Sequence, residues 1–250
     1  MRAKVALRNL LISQAIISLF LVFAYLIWFP YSFSQLGGFK QTALMLVFVD
    51  LILGPLLVFI IYKEKKKYLA FDINVLLGMQ LIAFMFGAYS LFLKHPAYAV
   101  FSVDRFSLTN VSQIYPQQHW LSHIKSSFFS SPKLVFAKNP ETSQKRQTLL
   151  FNVLLNGAPD IDKRPELFEP FEQHLKAVFS KSIPLKQLFQ DEKSKEKFQQ
   201  FYRQYGGKPD DYAYFPLSGN NKKDYIWVFS RKTKQPVAII DSDPWLIANK

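Results

Sequence analysis

Leu10–Phe29 reads LLISQAIISLFLVFAYLIWF, twenty residues without a charge, in a longer stretch that meets no ionisable side chain other than Tyr between Arg8 and Lys40. At about 1.5 Å of rise per residue such a run matches the hydrocarbon thickness of a bilayer. Gln14 and two serines are its only clearly polar members. Two more runs follow. Gln41–Tyr62 is broken by a single acid, Asp50, and Ile73–Leu93 (INVLLGMQLIAFMFGAYSLFL) carries no charge. Three such runs so close together leave no polar face for water, so the sequence predicts three transmembrane helices, at about 10–29, 41–62 and 73–93, rather than three buried core helices.

Charge sets the orientation. The 250-residue chain has a net charge of +13, yet residues 1–93 hold only eight Lys/Arg and three acids. Arg2, Lys4 and Arg8 precede the first run, and Lys63, Lys65, Lys66 and Lys67 lie between the second and third. The connection between the first and second has Lys40 alone. The positive-inside rule then puts the 1–9 leader and the 63–72 loop in the cytoplasm and residues 94–250 outside, in the periplasm of a diderm bacterium. A cleaved signal peptide is the competing reading of the first run. The apolar core is long for one, and Trp28-Phe29-Pro30-Tyr31 offers no small-x-small cleavage site. A retained anchor is therefore expected, with Trp28 and Tyr31 as interfacial aromatics.

Asp50 is the exception inside the apolar part. An ionised carboxylate near the bilayer centre costs at least about 2.5–3.5 kcal/mol, so it should face protein or water. It could be protonated, bonded to a polar group of a neighbouring span such as Gln14 or Gln80, or paired with a cation brought by a partner. The intramolecular bond is the least demanding of the three. Gly54-Pro55 follows one turn later, and proline there removes a helical hydrogen bond and favours a kink near Asp50.

Residues 94–250 read as a small α+β domain. Strands are expected at 97–108, 134–137, 210–217, 224–230 and 236–241, with the last two as a hairpin. Helices are expected at 116–127, 166–180 and 184–205, and TLLFNVLL (148–155) as a strand or a buried helix. Chemistry is scarce. With no cysteine, thiol nucleophiles and Cys-based metal sites are excluded. His119 and His123 share a helix face but have no third ligand at suitable spacing, and Asp241-Ser242-Asp243 is more economically a turn before Pro244. No cofactor, metal site or catalytic residue is expected, and the dispersed basic residues lack the aromatic interleaving of a nucleic-acid platform.

The order Trp28-x-Pro30, Gly37-Gly38, Asp50 with Gly54-Pro55-Leu56-Leu57, the lysine-rich loop, Phe71-Asp72, Gln80, Gly87, Pro96 and Asp104-Arg105-Phe106 resembles the type IV pilin accessory protein family, the TfpX/TfpZ group. The likeness covers about residues 20–110. Beyond that it is carried by Tyr214-x-Pro216-Leu217 and the late strand ending in Asp241. His95, beside Lys94, stands where the pattern often has Arg. The resemblance implies a non-enzymatic inner-membrane protein that supports the stability or assembly of a type IV pilin subunit, its partners being that subunit and membrane lipid. Candidate partner-binding residues are Asp50, Gly54, Pro55, Trp28, Asp104 and Arg105. Two alternatives stay open: a membrane-anchored sensor or transport component whose outer domain binds a small ligand, and a membrane-bound hydrolase.

Overall fold

The computed structural model describes residues 2–30, 33–61, 69–115, 132–140, 142–188, 192–219 and 223–245. The chain forms two compact units, Met1–His95 and Pro96–Lys250.

The first unit is helical: α1 (Arg2–Ile27), α2 (Phe33–Leu36), α3 (Phe39–Ile61) and α4 (Leu69–Lys94). Two stretches, Leu7–Ile27 and Phe71–Lys94, are long and apolar enough to cross a membrane. α3 packs against both α1 and α4. Small residues set the approach: a Cβ added to Gly87 of α4 would overlap Cδ1 of Leu46 on α3. The outward surface is apolar, with Leu19, Ile82 and Phe86 at 69–74% exposure.

After α1, the amides of Trp28 and Phe29 both donate to the Ala24 carbonyl, at 2.8 and 3.0 Å. This closes the helix and turns Trp28 inward. The indole is 3% exposed and stacks on His95, with centroids 5.6 Å apart, amid Phe20, Phe23 and Phe92. Trp28 therefore packs within the helical unit, where its aromatic neighbours on α1 and α4 offer more apolar contact than an outward position would. Tyr31 lies outside the described residues. Gly37 fits against the Phe29 ring, where a Cβ would come within 2.8 Å, and Gly38 takes φ +75° to start α3. At the end of α4, Lys94 Nζ donates to Thr42 Oγ1 at 3.0 Å.

The second unit is built on a seven-stranded mixed sheet in the order β4-β3-β1-β2-β5-β6-β7. Its strands are β1 (Pro96–Ser102), β2 (Arg105–Asn110), β3 (Lys133–Ala137), β4 (Phe168–Pro170), β5 (Tyr212–Ser218), β6 (Asp224–Ser230) and β7 (Pro236–Ile240). β1 runs parallel to β3 and β2 parallel to β5; the other neighbours are antiparallel. The expected β6–β7 hairpin is present. The helices are α5 (Ser143–Asn156), α6 (Leu175–Phe179), α7 (Leu185–Leu188) and α8 (Glu192–Tyr205). α8 lays Phe198 and Phe201 on Tyr212, Tyr214, Ile226 and Val228. On the other face Phe106, fully buried, meets Phe101, Phe215, Trp227 and Phe229 at 4.9–5.5 Å.

Three expectations for this unit change. The single strand over 97–108 is a hairpin, turning at Val103-Asp104 with Ser102 paired to Arg105. No Gly or Asn marks that turn; Val103 itself adopts φ 58°. The helix over 166–180 is broken into 3-10 turns, the short β4 and α6, because Pro170, inside that stretch, cannot donate in a helix interior. TLLFNVLL is helical within α5, but none of its residues is buried. The helix expected at 116–127, with His119 and His123, lies outside the described residues.

Candidate functional site

The polar residues of the helical unit gather around Asp50. Beyond its basic amino-terminal turns α1 carries few polar side chains, and Asn9 and Ser13 lie one turn apart with Gln14 adjacent. Packing of α1 on α3 brings two of these to the carboxylate: Ser13 Oγ donates to Asp50 Oδ2 at 2.6 Å, and Gln14 Nε2 donates to the same oxygen at 2.9 Å. The Ser13 hydroxyl also lies 3.1 Å from the Leu10 carbonyl, so one proton serves two acceptors. Among the described residues no Lys, Arg or His pairs with Asp50. Neutral donors therefore offset part of the cost of the carboxylate and leave its charge uncancelled.

Gln80 on α4 completes the group. Its Oε1 accepts from Asn9 Nδ2 at 3.3 Å, which links α4 to α1. Its Nε2 is sealed from solvent and has no acceptor among the described residues. Asp50 and Gln80 line two adjoining cavities. One, of about 170 Å³, is walled by Ile17, Leu46, Val49 and Met79; the other, of about 180 Å³, by Asn9, Ile12, Ser13 and Ile16. A carboxylate with neutral donors but no cationic partner among the described residues, and a spare amide donor, thus face apolar walls, an arrangement suited to a ligand group that is cationic or both donor and acceptor.

The other candidates fall differently. Gly54 and Pro55 continue α3, which runs without interruption to Ile61; the side chains of 53–60 lie outside those described. Trp28 is core, as above. Asp104 and Arg105 belong to the second unit and pair with each other, Nε to Oδ1 at 3.0 Å, both a little under half exposed. The guanidinium of Arg105 also lies over the Trp245 ring, 4.5 Å from its centroid. Trp245 in turn donates to Asp224 at 2.6 Å. Ser13 and Asn9 are site residues that sequence reasoning missed; the detectable signal was polar side chains recurring every fourth position in an apolar helix. No cluster of three or more His, Asp or Glu able to hold a metal occurs among the described residues.

The second unit has buried ionisable groups of its own. Burial pushes the Asp162 carboxyl up, with Lys163 pulling the other way and Asp160 adding to the rise. Burial likewise raises the Tyr214 phenol, which donates to the Pro209 carbonyl at 2.9 Å and contacts Tyr202 Oη at 2.7 Å. These tyrosines fasten the loop before β5, a structural role.

Comparison with known proteins finds relatives with one name. The chain is 23% identical over 193 residues to "Fimbrial assembly protein, serogroup I" of Dichelobacter nodosus, covering 75% of this chain and 74% of that protein. It is 23% identical over 171 residues to the serogroup E1 protein of the same organism, covering 66% and 65%. It is 26% identical over 114 residues to the protein of serogroups C1 and C2, covering 45% of this chain and 87% of the relative. No family model matches the chain, and no solved structure matches it. The chain is therefore similar to fimbrial assembly proteins along most of its length.

Proposed function

We propose that this protein is a non-enzymatic, inner-membrane accessory of type IV pilus assembly, which binds a membrane-held pilin subunit through the Asp50–Gln80 site. Three crossings by α1, α3 and α4 leave the amino terminus in the cytoplasm and the sheet-bearing unit in the periplasm. The apolar outward surface of the helical unit supports this, since such a surface would drive association in water. The similarity to proteins named for fimbrial assembly supports the pathway.

The observation that carries the reading is the carboxylate without a cationic partner among the described residues, beside a spare amide donor, on predominantly apolar helices. In lipid the hydrophobic effect between helices is absent, so a partner helix is held by close packing and polar contacts. A cavity with one acidic and one amide group gives a partner helix a polar foothold, while the sheet-bearing unit is free to select the subunit's head. The test is surface fimbriation in cells carrying Asp50→Ala or Asp50→Asn at normal membrane levels. Both variants are expected to lose fimbriae and recovery of the subunit in crosslinked complexes. Wild-type fimbriation in both would remove Asp50 from the proposal. Retained fimbriation with altered uptake or response to a small solute would favour the sensor or transport alternative, which the polar cavity also accommodates.

A further inference from the structure

Among the described residues of the second unit, α5 carries the most exposed large apolar side chains. Leu150, Phe151, Leu154 and Leu155 are 56%, 60%, 78% and 74% exposed, and none of the fourteen residues of α5 is buried. At about 100° per residue these four positions fall within one face roughly 140° wide. Both ends are defined: Thr142 Oγ1 accepts from the Lys145 amide, and Gly157 closes the helix at φ 61°. A helix this short gains little from propensity alone, so its apolar face calls for an apolar environment.

We infer that this face of α5 seats in the interfacial region of an anionic bilayer. Charge complementarity selects lipid. Within α5 the only charges are Lys145 and Arg146, both near its amino-terminal end, and Lys133 and Lys138 precede it, while the acids Glu141 and Asp160 lie outside the helix at its two ends. The face itself is three Leu and one Phe, convex and without the Tyr, Trp or Arg that anchor specific protein interfaces. A fluid apolar layer beneath anionic headgroups accepts such a face without needing a matching groove. The inference rests on the reading of the helical unit as membrane-spanning, because covalent attachment to membrane helices gives α5 a high effective concentration of bilayer.

The absence of cysteine makes the test direct. Single-cysteine variants Leu154→Cys, Leu150→Cys, Gln199→Cys on α8 and Leu19→Cys on α1 are labelled with an environment-sensitive fluorophore. The full chain is then reconstituted in phosphatidylcholine–phosphatidylglycerol vesicles that contain nitroxide lipid. The labels at 150 and 154 are expected to be quenched several-fold, and to lose that quenching when Lys145→Glu and Arg146→Glu are combined. The Gln199 label stays unquenched and the Leu19 label is quenched throughout. Unquenched labels at 150 and 154 with a quenched Leu19 would overturn this inference alone. An unquenched Leu19 would overturn the membrane reading. Shielding of 150 and 154 only after the fimbrial subunit is added would make α5 a protein-docking face and overturn the lipid assignment.

Discussion

For Asp50 the proposed recognition role is set against a cost in stability. Its two neutral donors relieve part of the desolvation cost, and the charge itself has no partner among the described residues. Replacing it with a similar-sized apolar residue removes the cost together with the benefit. Asp50→Leu should therefore change the thermal stability of the detergent-solubilised chain by no more than about 1 kcal/mol while abolishing fimbriation. Ser13→Ala combined with Gln14→Leu strands the carboxylate instead, and should cost about 1–3 kcal/mol in the same melt. In the second unit, burial raises the Asp162 carboxyl above its ordinary range. A carboxyl raised in the folded state contributes stability that is present at acid pH and lost as pH rises through the folded value. Asp162→Asn, which never ionises, should accordingly be more stable than the parent at pH 7. Melts of a background that retains only Trp227 and Trp245, followed by their fluorescence, should show the gap closing as pH falls to about 4. At this scale the sequence made Asp50 and its bond to Gln14 legible. The Asn9–Gln80 bond was not, because helices apolar all round do not disclose which face turns inward.

Elements were legible where composition and turn signals agreed. DYIWVFS and PVAII, separated by Arg231–Gln235, fold as the β6–β7 hairpin because β-branched and aromatic runs flank a short polar loop. The β1–β2 turn was not legible, since Val103 occupies a left-handed position that sequence rules assign to Gly or Asn. That strain makes a prediction: Val103→Gly should raise the stability of the second unit by about 1 kcal/mol, read as a shifted denaturant midpoint with an unchanged slope. In the helical unit, the Gly87–Leu46 contact leaves no room for a branched side chain. Gly87→Val should cost about 1–3 kcal/mol by forcing α3 and α4 apart, measured by thermal unfolding in detergent. α5 was legible as apolar and not as exposed, because burial of a helix face depends on what the rest of the chain brings against it.

On the scale of the whole molecule, the chain joins a helical unit that holds a polar site to a sheet-bearing unit. The similarity to fimbrial assembly proteins and the charge asymmetry of the flanks both suit a membrane-held helper whose larger unit lies outside. The proposed topology predicts that an impermeant maleimide applied to intact spheroplasts labels Lys208→Cys, and Arg8→Cys only after permeabilisation. The most direct measurement of the central claim is site-specific photocrosslinking in native membranes, with the photoreactive side chain placed at Met79, on the wall of the Asp50 cavity. A covalent adduct with the apolar helix of the fimbrial subunit, lost in the Asp50→Ala background, is the predicted result. A chain that captures only lipid from Met79, in cells whose subunit is abundant and fimbriation normal, would contradict it.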